Sequence, residues 1–298
     1  MRNAFIAELV SLARQNPRIF LIVGDLGYSV VEPFADAFPD RFINAGVAEQ
    51  NMTGLAAGMA SEGYHVFTYS IANFPTFRCA EFIRNDVAYH NLPVTVVAVG
   101  GGLAYGALGY SHHAVQDYAL MRGMPNMRIA APGDPMEVRA CVRYLVGHPG
   151  PSYLRIGKAG EPNFHPEPPD IQPGRWLPVK KGEGKRIILA TGAGLALAME
   201  WINHPDYRDC GVYTLPVWSL EEKSLQAEQL QRFTEVFTLE DHLYDGGFGS
   251  WMLEAKAMNP TIACRVTPVA LSANVCGAVG SQSTLNQMGG IVQPPTGA

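Results

Sequence analysis

The stretch Arg41-Phe42-Ile43-Asn44-Ala45-Gly46-Val47-Ala48-Glu49-Gln50-Asn51-Met52 decides the fold. It begins strand-like, passes a glycine and enters an apolar helical pattern headed by Glu49. Such a hand-over from strand to helix lies at the sheet edge where α/β folds place ligands. The positive end of the helix offsets part of the cost of a carboxylate there. A first-turn Glu that only suits that dipole has the same signature, so this stretch alone leaves both readings open.

Outward from it, short apolar runs alternate with helical patterns. Residues 19–23, 64–69, 94–99, 127–131 and 153–156 read as strands buried on both faces of a parallel sheet. Residues 49–61, 77–89 and 135–146 read as the helices between them, and 1–15 as an amphipathic helix with Phe5, Leu9 and Leu12 on one face. This alternation predicts a doubly wound α/β domain. From 159 to 178 the rhythm breaks at Pro162, Pro166, Pro168, Pro169, Pro173 and Pro178. Proline at that density cannot continue a helix or a central strand, which marks a linker. A second, smaller α/β domain is expected beyond it, with strands near 187–190, 212–215, 236–239 and 264–266. The expected division is therefore a domain at 1–160, a Pro-rich linker at 161–178 and a domain at 179–298. The Gly-, Ser-, Gln- and Pro-rich tail from Gly277 reads as loosely held.

Composition narrows the function. Of 298 residues, 47% are hydrophobic and 16% charged, which gives a large core and a weakly charged surface suited to subunit contacts. A net charge of −5 argues against nucleic acid, which needs a basic face. The five scattered cysteines contain no CxxC pair and suit a reducing cytoplasm without structural zinc. No signal peptide is visible, and the uncharged stretch 91–109 is too glycine-rich for a membrane span.

Several motifs bear on chemistry. Gly54 and Gly58 lie four apart on the helix after Glu49, as in close packing on a sheet or partner helix. Phe74 and Phe77 share one side of a helical turn; spacing alone favours core over a stacking wall. Gly100-Gly101-Gly102 follows a strand and leads to Ser111-His112-His113 and Asp117, a loop able to cradle a polar ligand. The spacing of a metal site is missing, so a histidine there suits proton transfer or a hydroxyl. Thr191-Gly192-Ala193-Gly194 imitates a dinucleotide loop, but Leu197 stands where the third glycine belongs.

Taken in order, Asn44-x-Gly46-Val47-Ala48-Glu49-Gln50-Asn51-Met52, Phe74/Phe77, Arg84-Asn85-Asp86-Val87, Ser111-His112-His113, Asp117-x-Ala119-Leu120-Met121-Arg122 and Pro125-Asn126-Met127 resemble the pyrimidine-binding domain of transketolases. Residues 179–298 resemble, more loosely, that family's C-terminal domain. The family's diphosphate-binding motif, Gly-Asp-Gly with a later Asn, has only the poor matches Gly24-Asp25-Leu26 and Gly133-Asp134-Pro135. The resemblance is thus to one subunit of a split transketolase. It implies thiamine diphosphate as cofactor, with the diphosphate and Mg²⁺ held mainly by a separate diphosphate-binding subunit. It also implies an α₂β₂ assembly and two-carbon ketol transfer from a ketose to an aldose, with a homodimer when the chain is alone. By the same resemblance Glu49 bonds the aminopyrimidine and drives removal of the thiazolium C2 proton. Phe74 stacks on the pyrimidine with Phe77 beside it, Ile71 stands where the family often has Phe, and Asp25 joins the cofactor contacts. His112 contacts the donor; Arg2, Ser29 and Lys158 gather on a sugar phosphate, Lys158 replacing a usual Arg. Gly100 and Leu108 replace a family histidine and aspartate, which points to a non-standard sugar. A 2-oxo acid dehydrogenase beta chain, a deoxyxylulose phosphate synthase-like enzyme and a non-catalytic nucleotide-binding module are the alternatives.

Overall fold

The computed structural model describes residues 1–295. A seven-stranded sheet is built from β1 (Ile19–Val23), β2 (Phe42–Asn44), β3 (His65–Ile71), β4 (Val94–Val99), β5 (Arg128–Ala130), β6 (Ser152–Ile156) and β10 (Val217–Trp218), in the order β10-β5-β6-β4-β3-β1-β2. All neighbours are parallel except β10 on β5. A second sheet holds β7 (Leu177–Lys180), β8 (Arg186–Ala190), β9 (Gly211–Thr214), β11 (Glu235–Leu243) and β12 (Arg265–Leu271), in the order β12-β11-β8-β9-β7. Here β7 alone runs antiparallel.

The first sheet is covered on both sides, which is why its strands read as unbroken apolar runs. Along β4, Val94, Val96 and Ala98 point into one core with Met52, Ala56 and Ile83. Val97 and Val99 point into the other with Phe5, Leu9 and Val138. That alternation is the period of a strand. The helix Pro135–Gly147 starts where Asp134 accepts the Glu137 N–H at 2.7 Å and Pro135 takes the first turn.

Four expectations need correction. The helix expected over 77–89 is broken into Phe74–Phe77, Ala80–Phe82 and a wider π-helical stretch Ile83–Ala88, where the Tyr89 N–H reaches the Arg84 carbonyl. The segment marked as linker ends in a strand: β7 includes Pro178 and lies at the sheet edge, where a missing N–H is tolerated. The tail is not loose through its described residues. It forms a helix Gln282–Met288, capped by Ser281 Oγ, and buries Leu285 and Ile291. Gly54 and Gly58 do not press on the sheet: a Cβ at Gly54 would lie 3.8 Å from Phe82 of the helix Ala80–Phe82, and one at Gly58 meets nothing within 4 Å.

Candidate functional site

Glu49 opens the helix Glu49–Ser61, and its neighbour Ala48 supplies no side-chain cap. The carboxylate is buried below Gly24, where an added Cβ would lie 3.5 Å from Glu49 Cγ. Arg78 Nη1 donates to Glu49 Oε2 at 2.6 Å. Among the described residues nothing else donates to the carboxylate, which leaves Oε1 as a free acceptor. The loops before it are tied together by Asn44. Its Nδ2 donates to Asp25 Oδ1 at 2.9 Å, and its Oδ1 accepts the N–H groups of Asp25 and Gly46. Those hydrogen bonds, from Asn44 first and Tyr28 second, hold the Asp25 carboxyl below the usual carboxylate range. Asp25 and Ser29 both sit in left-handed backbone, at φ 55° and 63°. Ser29 uses its N–H to reach Glu32 Oε1 and leaves its side chain exposed.

From Glu49 the site runs outward through aromatic contacts. The Arg78 guanidinium lies 5.4 Å from the Phe74 ring, and Phe74 meets the His112 ring edge-on at 5.1 Å. His112 Nδ1 pairs with Ser111 Oγ at 3.0 Å. Burial, helped by the neighbouring His113, lowers the His112 pKa, so the imidazole is neutral at physiological pH. Tyr105 follows at 6.3 Å from His112, and Lys158 Nζ lies 4.8 Å over the Tyr105 ring. Arg2, Ile71 and Tyr105 line one cavity of about 110 Å³ together with Leu26, Tyr69 and Val99.

The structure therefore brings Glu49, Phe74, His112, Lys158, Arg2 and Ile71 into one chain of contacts. Phe77 stands apart from Phe74's contacts. It is 40% exposed and lines a recess of about 400 Å³ with Asn73, Tyr110, Ser111, His113 and Gln116. Neither Phe74 nor Phe77 is core, contrary to the reading from spacing. Leu108 is 58% exposed on the turn Gly106–Leu108.

The glycine run is not a bare ligand cradle. A Cβ at Gly100 would collide with Tyr105, one at Gly101 with Arg155 and one at Gly102 with Asp241. Arg155 is buried between the two sheets' domains. Its Nε donates to Asp117 Oδ2 at 2.7 Å and its Nη1 to Asp241 Oδ1 at 2.6 Å. Tyr153 adds an O–H to Asp117 Oδ2 at 2.7 Å, and the Tyr118 ring lies against the guanidinium. Asp117, placed by sequence beside a ligand loop, and Asp241 are thus committed to holding the domains together. Arg78, Tyr105 and Arg155 were not foreseen as functional. Arg78 follows the Phe74/Phe77 pair directly, and that adjacency was the available signal.

Comparison with known proteins adds the family. The family described as transketolase, pyrimidine binding domain matches residues 1–160. An apulose-4-phosphate transketolase subunit of Phocaeicola vulgatus is 32% identical over 269 residues, 87% of this chain and 84% of that protein. A 6-deoxy-6-sulfo-D-fructose transketolase subunit of a Clostridium species is 29% identical, over 89% of this chain and 83% of that protein. Among solved structures, a split gene transketolase described as an inactive beta4 tetramer superposes with a TM-score of 0.83 at 32% identity, covering 97% of this chain and 93% of that one. With matches of this length, the chain belongs to the transketolase family, as the pyrimidine-binding and C-terminal subunit of a split transketolase-like transferase.

Proposed function

We propose that this subunit joins a separate diphosphate-binding subunit in a cytoplasmic α₂β₂ enzyme that uses thiamine diphosphate and Mg²⁺ to move a two-carbon ketol unit from a ketose to an aldose. The observation that carries the reading is the state of Glu49. The carboxylate is buried, fixed through Oε2 by Arg78, and keeps Oε1 free. Such an acceptor fits a protonated ring nitrogen of the aminopyrimidine. When bound, thiamine diphosphate supplies the acidic carbon that adds to the ketose carbonyl. Glu49 holds or releases one proton at Oε1, and the low dielectric around it strengthens that bond. Phe74 offers a ring face beside Arg78; Asp25, Ile71 and Phe77 are assigned to the cofactor on the family resemblance, Ile71 from the cavity of Arg2 and Tyr105 and Phe77 from the neighbouring recess. Neutral His112 can accept or donate at Nε2 toward the donor sugar. Arg2, Lys158 and Ser29 serve its anionic end. The diphosphate and the metal fall mainly to the partner, as the missing Gly-Asp-Gly motif implies.

Leu108 cannot accept a hydroxyl hydrogen bond, and Gly100 offers no side chain, which supports a non-standard sugar. The names of the two relatives, one an apulose phosphate and one a sulfofructose transketolase, point the same way. Exposed Val47, Phe77, Leu108 and Tyr110 supply apolar surface for the partner, or for a second copy when the chain is alone.

The test is Glu49→Gln in the pair reconstituted with its diphosphate-binding subunit. Deuterium exchange at the cofactor's C2 and ketol transfer should both fall by about 10²–10⁴-fold, with circular dichroism unchanged. Undiminished transfer would refute the proposal.

A further inference from the structure

Gly100 carries the residue type least able to read a substrate, yet its place is not empty. At φ +73°, a Cβ built on Gly100 would lie 2.2 Å from Tyr105 Cε2 and 2.6 Å from Cδ2. The Tyr105 ring fills the volume that any side chain at 100 would need. The ring is held from below. Gly102 and Ala114 pair across the loop, Leu103 is fully buried, and the Gly106 N–H bonds the Leu103 carbonyl. Around the ring stand Lys158 Nζ at 4.8 Å and His112 at 6.3 Å, and Arg2 shares its cavity. Among the described residues no hydrogen bond takes up the Tyr105 hydroxyl.

We propose that Tyr105 is a specificity-determining residue, which donates its hydroxyl to a tetrahedral oxyanion at the far end of the sugar and seats Lys158 on its ring. The inference rests on the sugar-transfer reading above. Arg2 and Lys158 supply charge, which attracts any anion; the phenol adds a directed, uncharged donor. Burial raises the Tyr105 pKa against the pull of Arg2, so the proton is present at every working pH. The cavity of about 110 Å³ is lined by Arg2, Tyr69 and Tyr105. Phosphate and sulfonate ends share this chemistry.

The experiment uses the reconstituted pair, with inorganic phosphate and methanesulfonate as probes in isothermal titration. Tyr105→Phe keeps the ring under Lys158 and removes only the hydroxyl. It should weaken binding of the preferred anion about tenfold or more, the usual scale of a hydrogen bond to a charged group. The KM of phosphorylated or sulfonated ketoses should rise by a similar factor, while that of an uncharged ketose stays put. Whichever probe loses more affinity identifies the anion. Binding by Tyr105→Phe within twofold of wild type for both probes, or no binding by wild type, overturns the inference. Glu49→Gln separates the two readings: it should stop C2 exchange yet titrate phosphate like wild type. Retained exchange refutes the cofactor role, whereas an unchanged Tyr105→Phe titration refutes only this one.

Discussion

Arg78 and Glu49 form a lopsided ion pair: 2.6 Å separates them, with the carboxylate 2% exposed and the guanidinium 49%. Solvent screens the arginine end, so the attraction itself is modest. The carboxylate has no such screening once its donor is gone.

Replacing Arg78 with Met should therefore destabilise the chain by about 1–3 kcal/mol, the cost of an unpartnered buried polar group. Urea denaturation measures it. Arg78→Lys should recover part of the loss, because it keeps the charge without the guanidinium's fork.

Arg155 is a different case, since both of its carboxylate partners are buried with it. Arg155→Met strands Asp117 and Asp241 at the domain contact. The expected loss is about 3–5 kcal/mol. Calorimetry should also show the single unfolding transition splitting in two.

The stability carried by Glu137, Glu240 and His165 should fall as pH rises from about 5 to about 8, while His65 and His242, whose pKa values burial lowers, act in the opposite sense below about 6.5. Glu137, fully buried, is pushed up to about 7 by burial, against the Gly133 N–H that its Oε2 accepts at 2.6 Å. Glu240 is pushed up to about 8, again by burial, against the N–H groups of Phe248 and Gly249. Both carboxyls bind their protons more tightly folded than unfolded, so that contribution is complete below the unfolded value and disappears through the folded one. His165 acts in the same direction. Burial opposes its charge, but the bond to Asp134 and the charges of Glu137 and Asp134 prevail, and its pKa is raised. Asp134 is the counterweight. Burial raises its pKa, yet its hydrogen bonds with His165, Glu137 and Phe164 bring it below the ordinary value. Its stabilisation is lost only in acid. Melts of Glu137→Gln across this range should show a shallower slope than wild type.

Leu285 packs from the tail helix against Gly106, where an added Cβ would sit 2.5 Å from Leu285 Cδ1. Leu285→Ala should cost about 2–5 kcal/mol and loosen the loop from Gly100 to His113. Limited proteolysis should then cut within that loop.

What the sequence disclosed follows from range. The strand Val94–Val99 and the helix Glu49–Ser61 are written in contiguous residues, and both were legible to the residue. The place of Glu49 at the head of its helix was legible because its setting is local too. The strand Val217–Trp218 is two residues long, below any periodic signal. Arg155 sits inside the apolar run Ser152–Ile156, and one of its partners lies 86 residues away, so nothing nearby announces the ion cluster. In the tail, polar composition hid the two apolar anchors, Leu285 and Ile291. Tyr105 was obscured by the glycines around it, whose plasticity drew the reading away from the side chain they accommodate.

The short strand Val217–Trp218 has one more implication. It comes from beyond the Pro-rich segment but completes the sheet of residues 1–160, lying antiparallel on Arg128–Ala130. Excising the pyrimidine-binding portion at its apparent border would bare that rim and leave its ladder groups seeking another chain. The stretch recognisable by homology, residues 1–160, is thus smaller than the sheet it belongs to.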